Sequence, residues 1–122
     1  MITYLEKVES AIEEIRWLIK KESIEIESPE GTSLGYIKGY LQFINDSKLI
    51  FSEITSSQKK NYRFHYMDYA GRLIKRLDSA PHHRQIKTFP FHIHTPSNIS
   101  ESNPVNLPGI LQIIASTIIK NI

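Results

Sequence analysis

Asn61-Tyr62-Arg63-Phe64-His65-Tyr66-Met67-Asp68-Tyr69-Ala70-Gly71-Arg72-Leu73-Ile74-Lys75-Arg76-Leu77-Asp78 is the stretch whose reading decides the fold. Runs of aromatic and β-branched residues flank Ala70-Gly71, where glycine can supply the positive φ of a tight turn, so the segment predicts a β-hairpin from Asn61 to about Asp78. Side chains alternate faces along a strand. With Ala70-Gly71 as a two-residue turn, Phe64 lies opposite Leu77 and Tyr66 opposite Lys75 on one face, and His65 opposite Arg76 and Arg63 opposite Asp78 on the other. A three-residue turn would slide the register by one and set Phe64 against Arg76, mixing apolar and charged positions, so the two-residue turn is expected. The charged face gathers two guanidinium groups that can hold phosphate oxygens beside an imidazole that can move a proton. The same residue types also suit a solvated sheet face with cross-strand ion pairs. Parity buries Phe64 and Tyr66 and leaves Tyr69, at the turn, and Tyr62, at the strand end, as exposed rings on which a base could stack.

Working outward, Tyr36–Ile44 and Lys48–Ile54 form a second hairpin around the turn Asn45-Asp46-Ser47, and Ser23-Ile24-Glu25-Ile26-Glu27 alternates as a strand until Ser28-Pro29-Glu30-Gly31 breaks it. Leu5, Val8, Ile12 and Ile15 recur at helical spacing behind Thr3 and Glu6, a capping-box pattern, which predicts a helix from 3 to about 15. Trp17, Ile19 and Lys21 already alternate as a strand would. Five prolines, Pro81, Pro90, Pro96, Pro104 and Pro108, forbid long ladders after the hairpin, so 79–106 is expected to be mostly loop with at most a short strand near Phe91–His94. A final helix, Leu107 to about Lys120, starts with Asn106 as cap and Pro108 in the tolerated first turn. The expectation is one α+β domain, residues 1–122: an antiparallel sheet of about five strands with an N-terminal and a C-terminal helix packed on it.

Composition narrows the function. Cysteine is absent, which removes disulfides, thiol nucleophiles, thiolate zinc sites and iron–sulfur clusters. No apolar run reaches a membrane span and the N-terminus is acidic where a signal peptide is basic, so a cytoplasmic protein is expected. No glycine-rich phosphate loop, nucleophile elbow or paired-glycine dinucleotide signature is present, which argues against nucleotide-cofactor enzymes, and no cofactor is expected. The net charge is only +2, but it is unevenly spread. Eight of the 13 acidic residues precede residue 31, whereas Lys59 to Lys87 holds eight basic residues against Asp68 and Asp78, a polarity that can steer an anionic partner to one side.

The histidines are the other signal. Four of the five, His82, His83, His92 and His94, fall within 13 residues. Extended backbone projects His92 and His94 to the same side, so with His82 or His83 they could hold a metal ion through neutral imidazoles. They equally suit metal-free acid–base chemistry on RNA, with Arg76 or Arg84 stabilising charge that develops on phosphorus oxygens. A purely structural role, with His82 and His94 capping loop carbonyls, accounts for them as well.

Tyr62-Arg63-Phe64-His65-Tyr66, then Gly71 to His83, then Thr88-Phe89-Pro90-Phe91-His92-Ile93-His94, together with the upstream run Gly39 to Leu49, resemble the TumE-like family of toxin–antitoxin toxins over roughly residues 35 to 95. Leu77, Ser79, Phe91 and Ile93 depart from the family pattern, while His65, Arg76, Asp78, His82, His83, His92 and His94 keep to it. The resemblance implies a growth-inhibiting toxin neutralised by a cognate antitoxin protein. Together with the constellation it gives the leading expectation, a metal-independent ribonuclease. His65, Arg76, Asp78, His82 and His83 would be catalytic, with Asp78 orienting a histidine or arginine, and Arg63, Arg84, His92 and His94 would hold substrate. A non-catalytic module binding nucleic acid or antitoxin, and a zinc-dependent hydrolase built on the histidine cluster, are the alternatives. The partners expected are the antitoxin and RNA, without a membrane; a homo-oligomer is compatible with this reading.

Overall fold

The computed structural model describes residues 3–27, 35–55, 60–80 and 85–122. Helix α1 (Tyr4–Glu14) leads through a short 3-10 turn, Arg16–Leu18, into β1 (Ile19–Glu27), followed by β2 (Gly35–Phe43), β3 (Lys48–Thr55), β4 (Lys60–Met67), β5 (Leu73–Asp78), β6 (His92–Thr95), β7 (Asn98–Glu101) and helix α2 (Leu107–Lys120). The strands form one antiparallel meander in which every strand pairs with its neighbours in sequence. The α+β architecture with a helix at each end is as expected. The sheet, however, has seven strands, not about five. Prolines do not stop β6 and β7 because Pro90 precedes β6, Pro96 sits in the turn between the two strands, and Pro104 and Pro108 follow β7. The break expected at Ser28-Pro29-Glu30-Gly31 lies outside the described residues.

Both helices pack on one face of the sheet. Ile37, Leu41, Leu49, Phe51, Phe64 and Leu77 from the strands meet Val8 and Ile12 of α1 and Leu107, Ile110, Leu111, Ile114 and Ile118 of α2 in one hydrophobic cluster. Each helix begins as the sequence dictates: Thr3 Oγ1 accepts from Glu6 N at 3.1 Å, and Asn106 Oδ1 accepts from Gly109 N at 3.0 Å. A single carboxylate ties the helices to the sheet. Glu53, almost fully buried on β3, accepts from the Tyr4 hydroxyl of α1 and, at 3.3 Å, from the Leu107 amide at the start of α2. Burial, reinforced by that bond to Glu53, holds the Tyr4 phenol well above its ordinary pKa, so it stays a donor.

The β4–β5 hairpin has the predicted register by an unpredicted route. Asp68 N donates to Arg72 O at 2.9 Å around a turn with Gly71 at φ 81°, one residue longer than expected, and Met67 pairs with Leu73. That offset alone would set Phe64 against Arg76. A bulge between Tyr66 and Met67 absorbs it, so Tyr66 pairs with Lys75, Phe64 with Leu77, His65 with Arg76 and Arg63 with Asp78. Asp68 makes the wider turn affordable by accepting from the amides of Ala70 and Arg72, each at 2.9 Å. Tyr62 is not exposed, contrary to expectation: it is buried, stacked between Phe64 and Phe91, because it shares the parity of Phe64 on β4. Tyr69 is exposed, as expected.

At Gly39 in β2 a Cβ would meet the Ser23 carbonyl oxygen at 2.5 Å and the Phe51 ring at 2.9 Å, so β1 approaches β2 only because that position has no side chain. Since the nearest obstacle is backbone, Gly39→Ala is expected to lower unfolding free energy by about 1–3 kcal/mol. Urea denaturation of the variant measures it, and an unchanged midpoint would mean that the β1–β2 approach is not constrained there.

Candidate functional site

Register across the sheet converts sequence positions into two continuous rows on the face away from the helices. One runs Tyr40, Ile50, His65, Arg76, His94, each directly opposite the next on adjacent strands. The other runs Lys38, Ser52, Arg63, Asp78, His92, Glu101. Of the residues expected at the site, Arg63, His65, Arg76, Asp78, His92 and His94 therefore share one surface, where three strands bring together the hairpin's charges and the histidines of the proline-rich segment. His82, His83 and Arg84 lie outside the described residues.

Asp78 is the hub of this surface. It is 2 % exposed, as is His92, although both belong to the face that carries no helix among the described residues. Oδ1 of Asp78 accepts from the Ala80 amide at 2.9 Å and lies 2.9 Å from His92 Nε2; Oδ2 lies 3.3 Å from Arg76 Nε and 3.9 Å from Arg63 Nε. Removing a lone carboxylate from water is costly, and here three nitrogen-bearing side chains and a backbone amide surround it. The arrangement also orients its partners. His92 Nδ1 is 2.8 Å from the carbonyl oxygen of Pro90. A carbonyl only accepts, so the hydrogen-bond network assigns a proton to Nδ1 and turns Nε2 toward Asp78. His92 and His94 meet edge to face with centroids 4.8 Å apart. The contacts of Asp78 set one carboxylate against two guanidinium groups, a local positive balance around Arg63 and Arg76 that favours an anion there, while Glu101 places a second carboxylate at the far end of the row.

His65 stands on the other side of Arg76. Its pKa lies below the ordinary 6.5, first because of burial and then because of the neighbouring Arg76 and Arg63 charges. The ring is consequently neutral near pH 7, the form able to accept a proton.

Among the described residues, the set a metal ion would find adds Asp78 to His92 and His94. Asp78, His92 and His94 each offer a ligand atom, all within 4.8 Å of one another. His92 would hold such an ion through Nε2, with its Nδ1 proton fixed by the Pro90 carbonyl in the manner usual for metal-bound histidine. The contribution of Asp78 was not anticipated because it sits on a different strand, 14 positions before His92, and only the β5–β6 register brings it there.

Sequence reasoning also passed over Lys38, Tyr40, Ile50 and Ser52, which with Arg63 and His65 line a concavity of about 350 Å³ on the same face. The signal was available: a turn at Asn45-Asp46-Ser47 pairs Tyr40 with Ile50 and Lys38 with Ser52 by parity alone. No described helix is long and apolar enough to cross a membrane.

A family model described as Toxin TumE matches residues 8–121. No curated protein and no solved structure matches.

The protonation of His65 provides a test of this electrostatic arrangement. Between its lowered folded pKa and 6.5 the unfolded chain binds more protons at this group than the folded one, so its contribution to stability is lost as pH falls through that window. In an NMR titration the His65 ring is expected to have its midpoint below 6.5, moving upward in Arg76→Gln. A midpoint unmoved by the substitution would leave burial as the sole cause.

Proposed function

The chain belongs to the TumE toxin family, and from that premise we propose that it inhibits growth by cleaving RNA at the Arg63–His65–Arg76–His94 face, as the toxin of a toxin–antitoxin module. The observation that carries the reading is the row His65, Arg76, His94 on three adjacent strands. Neighbouring strands lie about 4.8 Å apart, so two imidazole-bearing positions stand roughly 10 Å from one another on either side of a guanidinium. Displacement at phosphorus in line needs a base on one side of the phosphate and an acid on the other. Neutral His65 takes the proton of the ribose 2′-hydroxyl, O2′ attacks phosphorus, and the bond from phosphorus to O5′ breaks. His94 in its imidazolium form gives the leaving O5′ its proton, and the products carry a 2′,3′-cyclic phosphate and a 5′-hydroxyl. Arg76 and Arg63 hold the non-bridging oxygens, where charge accumulates. Asp78 and His92 are positioning residues: the buried carboxylate holds the two guanidinium groups at the surface. His82 and His83 remain candidates for the acid, and Arg84 for a further phosphate contact.

A metal-dependent hydrolase is the second reading, favoured by the proximity of Asp78, His92 and His94. It ranks lower because Asp78 already faces Ala80 N, His92, Arg76 and Arg63, and a divalent cation would add its charge to a positive cluster. The family implies an antitoxin as protein partner, and an antitoxin that covers this face would neutralise the toxin directly.

With purified protein and end-labelled RNA, His65→Gln and His94→Gln are each expected to slow cleavage about 10²- to 10⁴-fold with the melting temperature preserved. His82→Ala and His83→Ala, run alongside, identify the acid if His94→Gln is silent. Growth inhibition that survives replacement of all five histidines while needing Arg63 would instead mean binding without chemistry. Cleavage is expected to continue in a chelator. Its loss there, with recovery on adding zinc or manganese to wild type but not to His92→Ala, would install the metal reading.

A further inference from the structure

We infer that the concavity beside Arg63 and His65 receives one unpaired nucleobase, which makes single-stranded RNA the substrate class; this rests on the cleavage reading above. Three observations converge on it. The hollow, about 350 Å³, is at the small end of ligand sites and adjoins the two residues that would contact phosphate and the 2′-hydroxyl. Its floor is apolar: Ile50, on the interior strand β3, is 49 % exposed and lies directly between Tyr40 and His65, and it is more exposed than Ile54 and Ile99 on the same face. An interior strand's solvent face normally carries polar side chains, so an uncovered isoleucine there suits a flat apolar ring. Tyr40 adds an aromatic surface that is already oriented, because its hydroxyl donates to Gln42 Oε1 at 3.2 Å.

The rim supplies discrimination. Lys38 and Ser52 project from the neighbouring row and offer donors and an acceptor to a base edge, and Lys38 leans on Glu25 with Nζ 3.6 Å from its carboxylate. The order along the row, Tyr40 and Ile50 and then His65 and Arg76, sets the hollow immediately beside the phosphate position. A nucleotide can span that step with its base in the hollow and its phosphate against the arginines. A base held in a duplex cannot, since stacking and pairing keep it from being turned into a sheet surface. Stacking on Tyr40 and Ile50 tolerates any base, so selectivity between bases would come from Lys38 and Ser52.

The test uses a short 2′-O-methyl oligoribonucleotide that resists cleavage, the duplex it forms with its complement, and an abasic strand of equal length, each titrated against the intact chain. Wild type is expected to bind the single strand more tightly than the duplex or the abasic strand. Tyr40→Ala and Ile50→Ser are each expected to weaken single-strand binding about tenfold while leaving the abasic strand unchanged, and Tyr40→Phe to retain affinity. Melting curves that match wild type identify the variants as folded. If Tyr40→Ala and Ile50→Ser bind all three probes as wild type does while Arg63→Gln weakens all three, the base site is wrong and the RNA reading stands. If neither Arg63→Gln nor Arg76→Gln weakens any probe, the RNA reading itself fails and the base site with it.

Discussion

Burying the Asp78 carboxylate is the constraint on which the functional face depends. A charge withdrawn from water must be matched by donors and opposite charge: the Ala80 amide donates, Arg76 and, at longer range, Arg63 supply the charge, and His92 packs its Nε2 edge 2.9 Å away. The side chains around it come from three strands, so the carboxylate is enclosed only when β4, β5 and β6 are paired in one register. A slip of one residue in the β4–β5 ladder would turn Arg63 to the helix side and take that counter-charge from Asp78, and a slip in the β5–β6 ladder would turn His92 away and uncover the carboxylate. Folding and site assembly are thus one event. The cations oriented by Asp78 exceed it in number, and the surplus positive charge is what the surface presents to solvent.

Glu53 does for the opposite face what Asp78 does for this one. It is equally buried, but its partners are the Tyr4 hydroxyl and the Leu107 amide, which fix the starts of α1 and α2 against β3. The α2 amide it receives belongs to the positive end of a helix dipole, which favours a carboxylate there. The sheet therefore carries a buried acid on each side, one holding the helices and one holding the arginines. Glu53 pairs with Tyr62 across β3–β4, and Tyr62 stacks on Phe64, whose strand neighbours Arg63 and His65 point the other way. A single strand thus supplies the core and the site alternately along its length.

What was legible in the sequence was whatever depends on parity and local chemistry. The faces of the β4–β5 hairpin, the caps at Thr3 and Asn106, and the common side of His92 and His94 follow from alternation and from which side chains can accept a backbone N–H. The number of strands does not follow, because prolines that delimit a short ladder, such as Pro90 and Pro96, look in sequence the same as prolines that interrupt one. The turn at Asp68–Arg72 was misjudged for a subtler reason: a longer turn and a bulge cancel, so the apolar pattern constrains only their sum. The juxtaposition of Asp78 with His92 depends on how β6 pairs with β5, a contact across a proline-rich connection that no local rule encodes. Tyr62 went astray where position at a strand end outweighed the parity that should have placed it with Phe64.

The uneven charge of the chain acquires a physical meaning on this fold. Glu6, Glu9, Glu13 and Glu14 are exposed on α1, which packs on the core side of the sheet, while Lys38, Arg63 and Arg76 lie on the other, with Glu25 and Glu101 toward its two edges. At physiological salt the Debye length is about 8 Å, and a helix layer packed on a sheet already stands about 10 Å away. In the screened solvent each layer acts mainly on what approaches from its own side, so the acidic helix repels a polyanion on the helix side and Arg63 and Arg76 attract one on the other. In a chain whose net charge is only +2, what governs an encounter with a charged partner is the potential over one surface and not the total.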